Sequence, residues 1–267
     1  MAKPFQKGPL CTQSSLQTSL AALGIEPGDT ILVHSSLNKL GFVCGGAEAV
    51  IQSLLSAIGP SGTLVVPTHT SENSDPKNWE APPVPPEWWE VIRDNTPAFD
   101  PQTSRTRGMG AIPETARTWP GALRSDHPQT SFAAIGSNAE AITRGHALDS
   151  MMGEKSPLAR LEEVGAKVLL LGVGYDSCTV LHLAEYRVPG TPRRANSFAA
   201  NVDGKRQWVT VEDVKVESED FEQLGADYEA QKSVAKGMVG GAECRLIPVR
   251  EAVAFAQHWM GVHRTKT

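Results

Sequence analysis

Short apolar runs bounded by glycine, proline or polar residues recur along the chain. Residues 30–34, 64–68, 131–136 and 167–171 form four such runs. An apolar run of this length is typical of a strand buried on both faces, and such strands occur mostly in sheets that helices cover. The pattern therefore predicts an α/β fold with a mixed, largely parallel central sheet flanked by helices.

Segments between these runs carry apolar residues at helical spacing. Residues 47–58 lie between the first two predicted strands and end at Gly59 and Pro60, so residues 30–68 predict a βαβ unit. The chain also predicts helices at residues 16–23 (capped by Ser14 or Ser15), 140–146, 157–164, 179–187, 221–228 and 249–258, a hairpin at 193–217 and a closing strand at 242–248.

One proline-rich segment interrupts this order. Residues 72–104 contain seven prolines and three tryptophans. Stretches so rich in proline cannot join the interior of a sheet, so we expect a long surface excursion. Two interpretations are open: a lid over a binding site, or a rigid flap that its tryptophans pack onto the core. We expect one domain over residues 1–267, with this segment as the flap or lid.

Composition narrows the class of protein. The chain has 267 residues, 40% hydrophobic residues and a formal net charge of -5, which argues against a nucleic-acid partner and suits a cationic small molecule. The four cysteines are widely spaced and suggest neither a disulfide framework nor a metal site. We find no signal-like apolar segment in residues 1–10 and no run of the ~20 apolar residues that a membrane span needs. These features predict a soluble, cytoplasmic protein.

The segment after the 167–171 strand carries candidate chemistry. On a helical period, Thr179, His182 and Glu185 fall on one side of the predicted 179–187 helix. An imidazole is thereby placed just past the carboxyl end of a central strand, where open α/β sheets usually bind ligands. A lone histidine can equally be a packed residue, so both interpretations stay open. His127 precedes a proline, and we expect it to be structural or close to the substrate.

A second candidate lies in the loop after the first strand. Ser35 and Ser36 supply hydroxyl groups, and Gly46 stands at the amide-rich start of the 47–58 helix. Such a loop favours a phosphate group, although its spacing matches neither the dinucleotide nor the nucleoside triphosphate motif. The alternative is that these glycines serve only to turn the chain.

The combination of motifs resembles the aminoglycoside 3-N-acetyltransferases, the antibiotic N-acetyltransferase family. The resemblance rests on the following segments: Val33-His34-Ser35-Ser36-Leu37, Gly45-Gly46 and its helix, residues 59–64, Asp126-His127-Pro128, residues 131–136 and residues 169–185. It implies the fold of that family, with acetyl coenzyme A as acetyl donor. It also implies transfer to the 3-amino group of 2-deoxystreptamine aminoglycosides, resistance to those antibiotics, and a monomer or homodimer.

The same resemblance assigns roles to individual residues. His182 is implied to be the catalytic base, supported by a downstream acid for which we choose Glu217, with Asp220 next. Asp176, Thr179, Glu185 and Asp220 would contact the acceptor, and Asp176 and Glu185 would hold its ammonium groups. Residues implied to bind the donor are Ser35, Ser36, Gly46, Thr68, Ser104, Met109, Gly110, Ser131, Phe132, Val173 and Gly174.

Three rival hypotheses remain. Cys178 stands four residues before His182, which would allow acyl transfer through the thiol, although a small buried filler explains it as well. The acceptor could be a different amine metabolite. The protein could also be a non-catalytic binder of coenzyme A or of a cationic ligand.

Overall fold

A seven-stranded mixed sheet forms the centre of the molecule. The computed structural model describes residues 8–264, so most of the expectation about residues 1–10 lies outside the described part. The strands are β1 (Leu10–Cys11), β2 (Thr30–Ser35), β3 (Phe42–Val43), β4 (Thr63–Pro67), β5 (Leu123–Arg124), β6 (Phe132–Gly136), β7 (Lys167–Leu171), β8 (Arg193–Val202), β9 (Lys205–Val214), β10 (Ala235–Val239) and β11 (Ala242–Pro248).

Helices cover both faces of that sheet. They are α1 (Gln13–Leu23), α2 (Gly46–Ile58), α3 (Trp89–Asn95), α4 (Ala111–Arg117), α5 (Ala139–Thr143), α6 (Pro157–Glu163), α7 (Leu181–Glu185), α8 (Phe221–Gln231) and α9 (Val249–His263). One core lies between the sheet and α5 to α9, and a second lies beneath α1, α2 and α4. The central strands are buried on both faces, which explains their unbroken apolar sequences.

The strand order is β10-β11-β7-β2-β4-β6-β5. Strands β7, β2 and β4 are parallel, and the two strands on either side of this trio pair in an antiparallel manner. The predicted mixed α/β fold is therefore confirmed, with its parallel pairing confined to the three central strands. Strands β8 and β9 form a separate hairpin, as the polar 193–217 segment predicts.

Element boundaries differ from the sequence prediction in a few places. Thr12, rather than Ser14 or Ser15, caps α1 through a hydrogen bond from Ser15 N to its hydroxyl. The predicted 179–187 helix is reduced to α7, because a 3-10 turn at Tyr175–Ser177 and further tight bonds precede it. Strand β10 was not predicted. No helix within residues 8–264 has both the length and the apolar content for crossing a bilayer.

The proline-rich segment packs onto the β8–β9 hairpin. Its regular parts are α3 and two 3-10 turns, Pro76–Asn78 and Pro86–Trp88. The side-chain amide of Asn73 donates to Ala199 O at 2.9 Å and accepts from Ala199 N at 2.8 Å, as a neighbouring strand would. Arg93 forms an ion pair with Asp75 at 2.7 Å. These contacts are those of a packed flap, and movement as a lid stays a prediction.

Two buried histidines connect the loop between β5 and β6 with the segment between α5 and α6. His127 Nδ1 accepts from the Gln129 and Thr130 amides at 3.1 and 3.2 Å, so Nε2 carries the proton and donates to Leu148 O at 3.3 Å. His146 contacts Ser125 and Met151 O, and the two rings lie 4.7 Å apart. Burial lowers the pKa of His127 to about 4. His127 is thus structural in this fold.

Acid should therefore destabilise the fold from about pH 6.5 downward. Histidine in the unfolded chain has a pKa near 6.5, whereas His127 in the fold has about 4. The unfolded chain then binds the proton first, so stability present above pH 6.5 is lost as the pH falls. One such group costs about 2 kcal/mol by pH 5. Urea unfolding between pH 7.5 and 5 measures this loss.

A pair of matched variants separates this effect from general acid sensitivity. His127→Asn should weaken the pH dependence by about one proton, whereas His258→Asn, at an exposed position of α9, should leave it unchanged. Equal slopes in the wild type and His127→Asn would contradict the assignment.

Candidate active site

The carboxyl ends of the three parallel strands meet at one edge of the sheet. His34 and Ser35 end β2, Thr68 and His69 follow β4, and Gly172 follows β7. The register pairs His34 with Leu170 and Ser35 with Leu171, so these positions are level with one another. Open sheets bind ligands at such an edge.

The chain after β7 turns sharply to place a histidine at this edge. Gly172 has a φ of +73°, which is unfavourable for other residues, and its position is crowded by Lys39 and Ala242. The 3-10 turn and α7 follow, and Pro189 prevents α7 from continuing far. His182 is the second residue of this five-residue helix.

His182 forms a close pair with Glu185. The Nδ1 atom of His182 lies 2.7 Å from Glu185 Oε2, three residues further along α7. The Glu185 side chain is 1% exposed, whereas that of His182 keeps 12% exposure. The His182 ring also packs against Phe221, and the two ring centroids are 4.8 Å apart. The pair matches the expected arrangement of a base and its supporting carboxylate.

The carboxylate that contacts His182 in this structure is that of Glu185, and the Glu217 carboxylate chosen from the sequence does not contact it. The other oxygen of Glu185, Oε1, accepts from the Glu217 main-chain N–H at 2.9 Å and from Arg264 at 2.5 Å. The Glu217 carboxylate instead pairs with Lys215 at 2.5 Å. Both oxygens of Glu185 have partners within the protein and lie in its interior, so Glu185 does not present a free carboxylate to an acceptor's ammonium group.

The remaining predicted acids surround the pair. The Asp220 carboxylate accepts a hydrogen bond from Arg264 Nε at 2.7 Å, so it is already part of an ion pair. Asp176 is exposed, and its main-chain N–H donates to the Glu222 carboxylate at 3.2 Å. Asp176 and Glu222 therefore form an acidic surface close to the start of α7. Glu222 is not among the site residues predicted from the sequence, because nothing local distinguishes it from the other acids at the start of α8.

Two further histidines lie at the same edge. Thr179 Oγ1 is 3.2 Å from His34 Nε2. Burial, followed by the proximity of His182, lowers the pKa of His34 to about 3, and burial is also the main cause that lowers the pKa of His69 to about 3. Within residues 8–264, His69 Nε2 is a buried atom without a hydrogen-bond partner. His69 lines a cavity of about 280 Å³ between the flap and β8.

The last residue of β2 has a hydroxyl group without a hydrogen-bond partner in residues 8–264. Ser35 Oγ is buried and has no partner in the described part of the chain, whereas the Ser36 main-chain N–H donates to Leu171 O at 2.9 Å. Gly45 and Gly46 both have positive φ, which lets the chain enter α2 after a tight turn. Ser35 Oγ is therefore a polar atom of the predicted donor site that is free to bind a ligand.

Thr68, Ser131 and Phe132, which the resemblance implies to bind the donor, lie inside the protein in this structure. All three are 0% exposed. The two hydroxyls lie 3.1 Å apart, and Arg124 Nε reaches them at 3.1 and 3.0 Å. Burial lowers the pKa of Arg124 to about 10. Both hydroxyls thus accept hydrogen bonds from Arg124, which also donates to Ser104 O.

The other predicted donor residues are on loops. Ser104 Oγ accepts from Asp100 N at 3.0 Å. Met109 and Gly110 precede α4 and line an open cavity of about 360 Å³. Val173 and Gly174 follow β7, and a Cβ at Gly174 would collide with the Glu222 carboxylate. Glu222 is exposed, so its carboxylate can move away from such a group, and the contact does not by itself require glycine.

Cys178 does not lie in a setting that activates a thiol. It is 1% exposed, within the core beneath α7. Burial raises the pKa of its thiol to about 12, so the thiolate is scarce at neutral pH. This geometry favours the interpretation of Cys178 as a small core residue.

Comparison with known proteins agrees with this fold. The family model described as aminoglycoside 3-N-acetyltransferase matches residues 32–261. The SPbeta prophage-derived aminoglycoside N(3')-acetyltransferase-like protein YokD of Bacillus subtilis (strain 168) is 44% identical, over 93% of this chain and 92% of its own. Aminoglycoside N(3)-acetyltransferase VII of Streptomyces paromomycinus is 36% identical, over 95% and 92%.

Solved structures are similar over nearly the whole chain. The crystal structure of YokD from Bacillus subtilis has a TM-score of 0.94 at 41% identity, covering 99% of this chain and 97% of that one. AAC-IIIb as a binary complex with CoASH has 0.84 at 34%, covering 94% and 96%. Sisomicin-bound AAC-VIa has 0.84 at 33%, covering 94% and 98%.

The fold and these similarities define an acyltransferase enzyme. The chain belongs to the aminoglycoside 3-N-acetyltransferase family, which confirms the resemblance drawn from its motifs.

The choice between the two candidate acids can be tested directly. Glu185→Gln keeps the shape of the buried side chain but removes its charge, so kcat should fall by about 10²- to 10⁴-fold. Glu217→Gln keeps the main-chain N–H that contacts Glu185, so kcat should stay within about threefold of wild type. Acetyl-transfer kinetics on both variants, with melting temperatures as a folding check, measure the difference. A larger loss in Glu217→Gln than in Glu185→Gln would contradict the geometry.

Proposed function

We propose that this enzyme transfers the acetyl group of acetyl coenzyme A directly to the 3-amino group of 2-deoxystreptamine aminoglycosides, and so confers resistance to them. His182 acts as the general base, and Glu185 orients it and stabilises its protonated form. The observation that carries the proposal is the 2.7 Å pair of His182 and a buried carboxylate at the carboxyl edge of the sheet.

The pair leaves one nitrogen of His182 available to the reaction. With Nδ1–H donating to Glu185, the lone pair is on Nε2, and the partly exposed ring can reach an acceptor. An amine must lose a proton as it attacks a carbonyl, and a base with pKa near neutrality suits that step. The hydrogen bond to Glu185 fixes both tautomer and ring orientation, as the carboxylate of a catalytic triad does.

The bond changes balance without an acyl-enzyme. Acetyl coenzyme A supplies a thioester carbonyl when bound. A C–N bond forms to the acceptor nitrogen, its proton passes to His182 Nε2, and the C–S bond breaks. His182 then returns the proton to the leaving thiolate, which restores the neutral imidazole. The Thr179 hydroxyl is a candidate donor to the developing oxyanion if His34 Nε2–H donates to Thr179 Oγ1, 3.2 Å away.

Charge supports a polycationic acceptor. The chain has a formal net charge of -5, and Asp176 and Glu222 form an acidic surface near α7. Aminoglycosides carry several ammonium groups, which carboxylates attract. Sisomicin is bound in the structure of AAC-VIa, to which this chain is similar. Because Glu185 is committed to His182, we assign ammonium binding to Asp176 and Glu222.

The donor site is proposed at the loop after β2. Ser35 Oγ is a buried hydroxyl without a partner in residues 8–264, which fits an acceptor oxygen of a ligand. Ser36 follows β2, Gly46 begins α2, and Met109 and Gly110 precede α4. The structure of AAC-IIIb contains CoASH, which supports this ligand class for a related protein.

An acetylation assay tests the acceptor and the base together. We expect coenzyme A release with 2-deoxystreptamine aminoglycosides, and the product should carry one acetyl group on the 3-amino nitrogen by NMR. His182→Ala should lower kcat by about 10²-fold or more, whereas the exposed His258→Ala should not.

Three results would contradict parts of this proposal. Turnover only with simple polyamines would favour another amine metabolite as the acceptor. Binding of coenzyme A without turnover of any amine would indicate a non-catalytic binder. Unchanged kcat in His182→Ala would exclude His182 as the base.

Cys178→Ala separates direct transfer from transfer through the thiol. We expect kcat within about threefold of wild type, because a buried thiol with pKa of about 12 is a poor nucleophile at neutral pH. Mass spectrometry of the wild type, quenched with donor alone, should show no added acetyl group. An acetylated Cys178 peptide together with an inactive variant would overturn direct transfer.

A further inference from the structure

Arg264 joins three parts of the site from a position far along the chain. It follows α9 directly, and its guanidinium donates through Nη1 to Glu185 at 2.5 Å, through Nε to Asp220 at 2.7 Å and through Nη2 to Glu217 O at 2.8 Å. Its central carbon lies 5.8 Å from the centroid of the Phe221 ring. Phe221 in turn contacts His182. Arg264 therefore reaches His182 by two routes.

The first route is electrostatic. Glu185 is 1% exposed, and a carboxylate held away from water needs partners for its charge. Its oxygens are divided between His182 on one side and Arg264 with Glu217 N–H on the other. The positive charge of Arg264 thus offsets part of the negative charge of Glu185, which would otherwise act on His182 in full.

The second route is mechanical. Arg264 binds Glu217 O and both oxygens of Asp220, which fixes the segment that leads into α8. That segment supplies the Glu217 N–H to Glu185 and the Phe221 ring to His182. Loss of Arg264 should loosen both supports at once.

We propose that Arg264 is a positioning residue for the His182–Glu185 pair, which sets the charge and orientation of Glu185 without touching either substrate. This role rests on the proposed function of that pair. Arg264 and Glu185 also line a cavity of about 670 Å³ together with residues 188–192 and 215–220. The Arg264 side chain keeps 22% exposure, so solvent reaches the guanidinium.

Other charged groups surround the pair and are part of the expectation. Asp220 and the exposed Glu217 and Glu219 lie on the segment before α8, and Lys215 and His263 line the same cavity. His34 and His69, on the strand side, have low pKa values and stay neutral above about pH 4. Tyr186, beside Glu185 in sequence, has a raised pKa, mainly through burial. Removing Arg264 therefore leaves an excess of negative charge near His182.

The first test is the pH profile of Arg264→Gln. The unshared charge of Glu185 and Asp220 should hold a proton on His182 more tightly, so the acid limb of kcat/KM should move up by about one pH unit. At neutral pH, kcat should fall by about 10- to 100-fold, with KM for both substrates nearly unchanged. Arg264→Lys should recover part of this loss, and Arg250→Gln, which changes an exposed arginine near the start of α9, should match wild type.

The second test restores the missing group from solution. In Arg264→Ala, the cavity leaves room for a guanidinium ion beside Glu185. Guanidinium chloride at roughly 10–50 mM, which is far below denaturing concentrations, should raise the rate of this variant several-fold. Sodium chloride at equal ionic strength should not, and neither salt should raise the rate of the wild type.

The outcomes separate this proposal from the proposed function. A wild-type profile in Arg264→Gln would overturn the role of Arg264. So would an equal loss at every pH with no response to guanidinium, because that is the pattern of a merely structural residue. Side-chain nitrogen NMR of His182 needs no turnover: its titration should shift upward in Arg264→Gln even if no aminoglycoside is acetylated, and an unshifted titration would overturn the proposal.

Discussion

The charge of one buried carboxylate constrains the whole site. Glu185 is almost entirely removed from water, so its oxygens must find donors within the protein. They find an imidazole on α7, a main-chain N–H before α8 and a guanidinium after α9. Three elements that are distant in sequence thereby contact the same carboxylate. The orientation of His182 depends on these contacts, because they hold Glu185 in place.

The same edge of the sheet holds histidines of two kinds. Within residues 8–264, neither His34 nor His69 has a carboxylate in hydrogen-bond contact, and burial lowers their pKa values and keeps them uncharged. His182 differs because a carboxylate lies 2.7 Å from one nitrogen while part of the ring is exposed. The three imidazoles are therefore distinguished by their surroundings, although they lie in one small region.

The sequence predicted what depends on local pattern. The runs that became β2, β4, β6 and β7 are apolar because both faces of the sheet are covered, and this signal is present in each run by itself. The carboxylate partner of His182 was assigned to Glu217, although Glu185 lies on the same helix face. The backbone path decides this, because it turns the N–H of Glu217, not its side chain, toward the pair. Arg264 lies 79 residues beyond Glu185, and periodicity carries no information over that distance.

Asn73 illustrates how chemical ageing could act on this protein. Its amide replaces a strand neighbour for Ala199, with NH₂ facing a carbonyl and the oxygen facing an N–H. Hydrolysis of the amide to a carboxylic acid would exchange the donor for a second oxygen at an 8% exposed position. Two oxygens would then oppose each other where the flap meets the hairpin. Deamidation of this one side chain would therefore weaken the contact between the flap and the hairpin without changing any apolar residue.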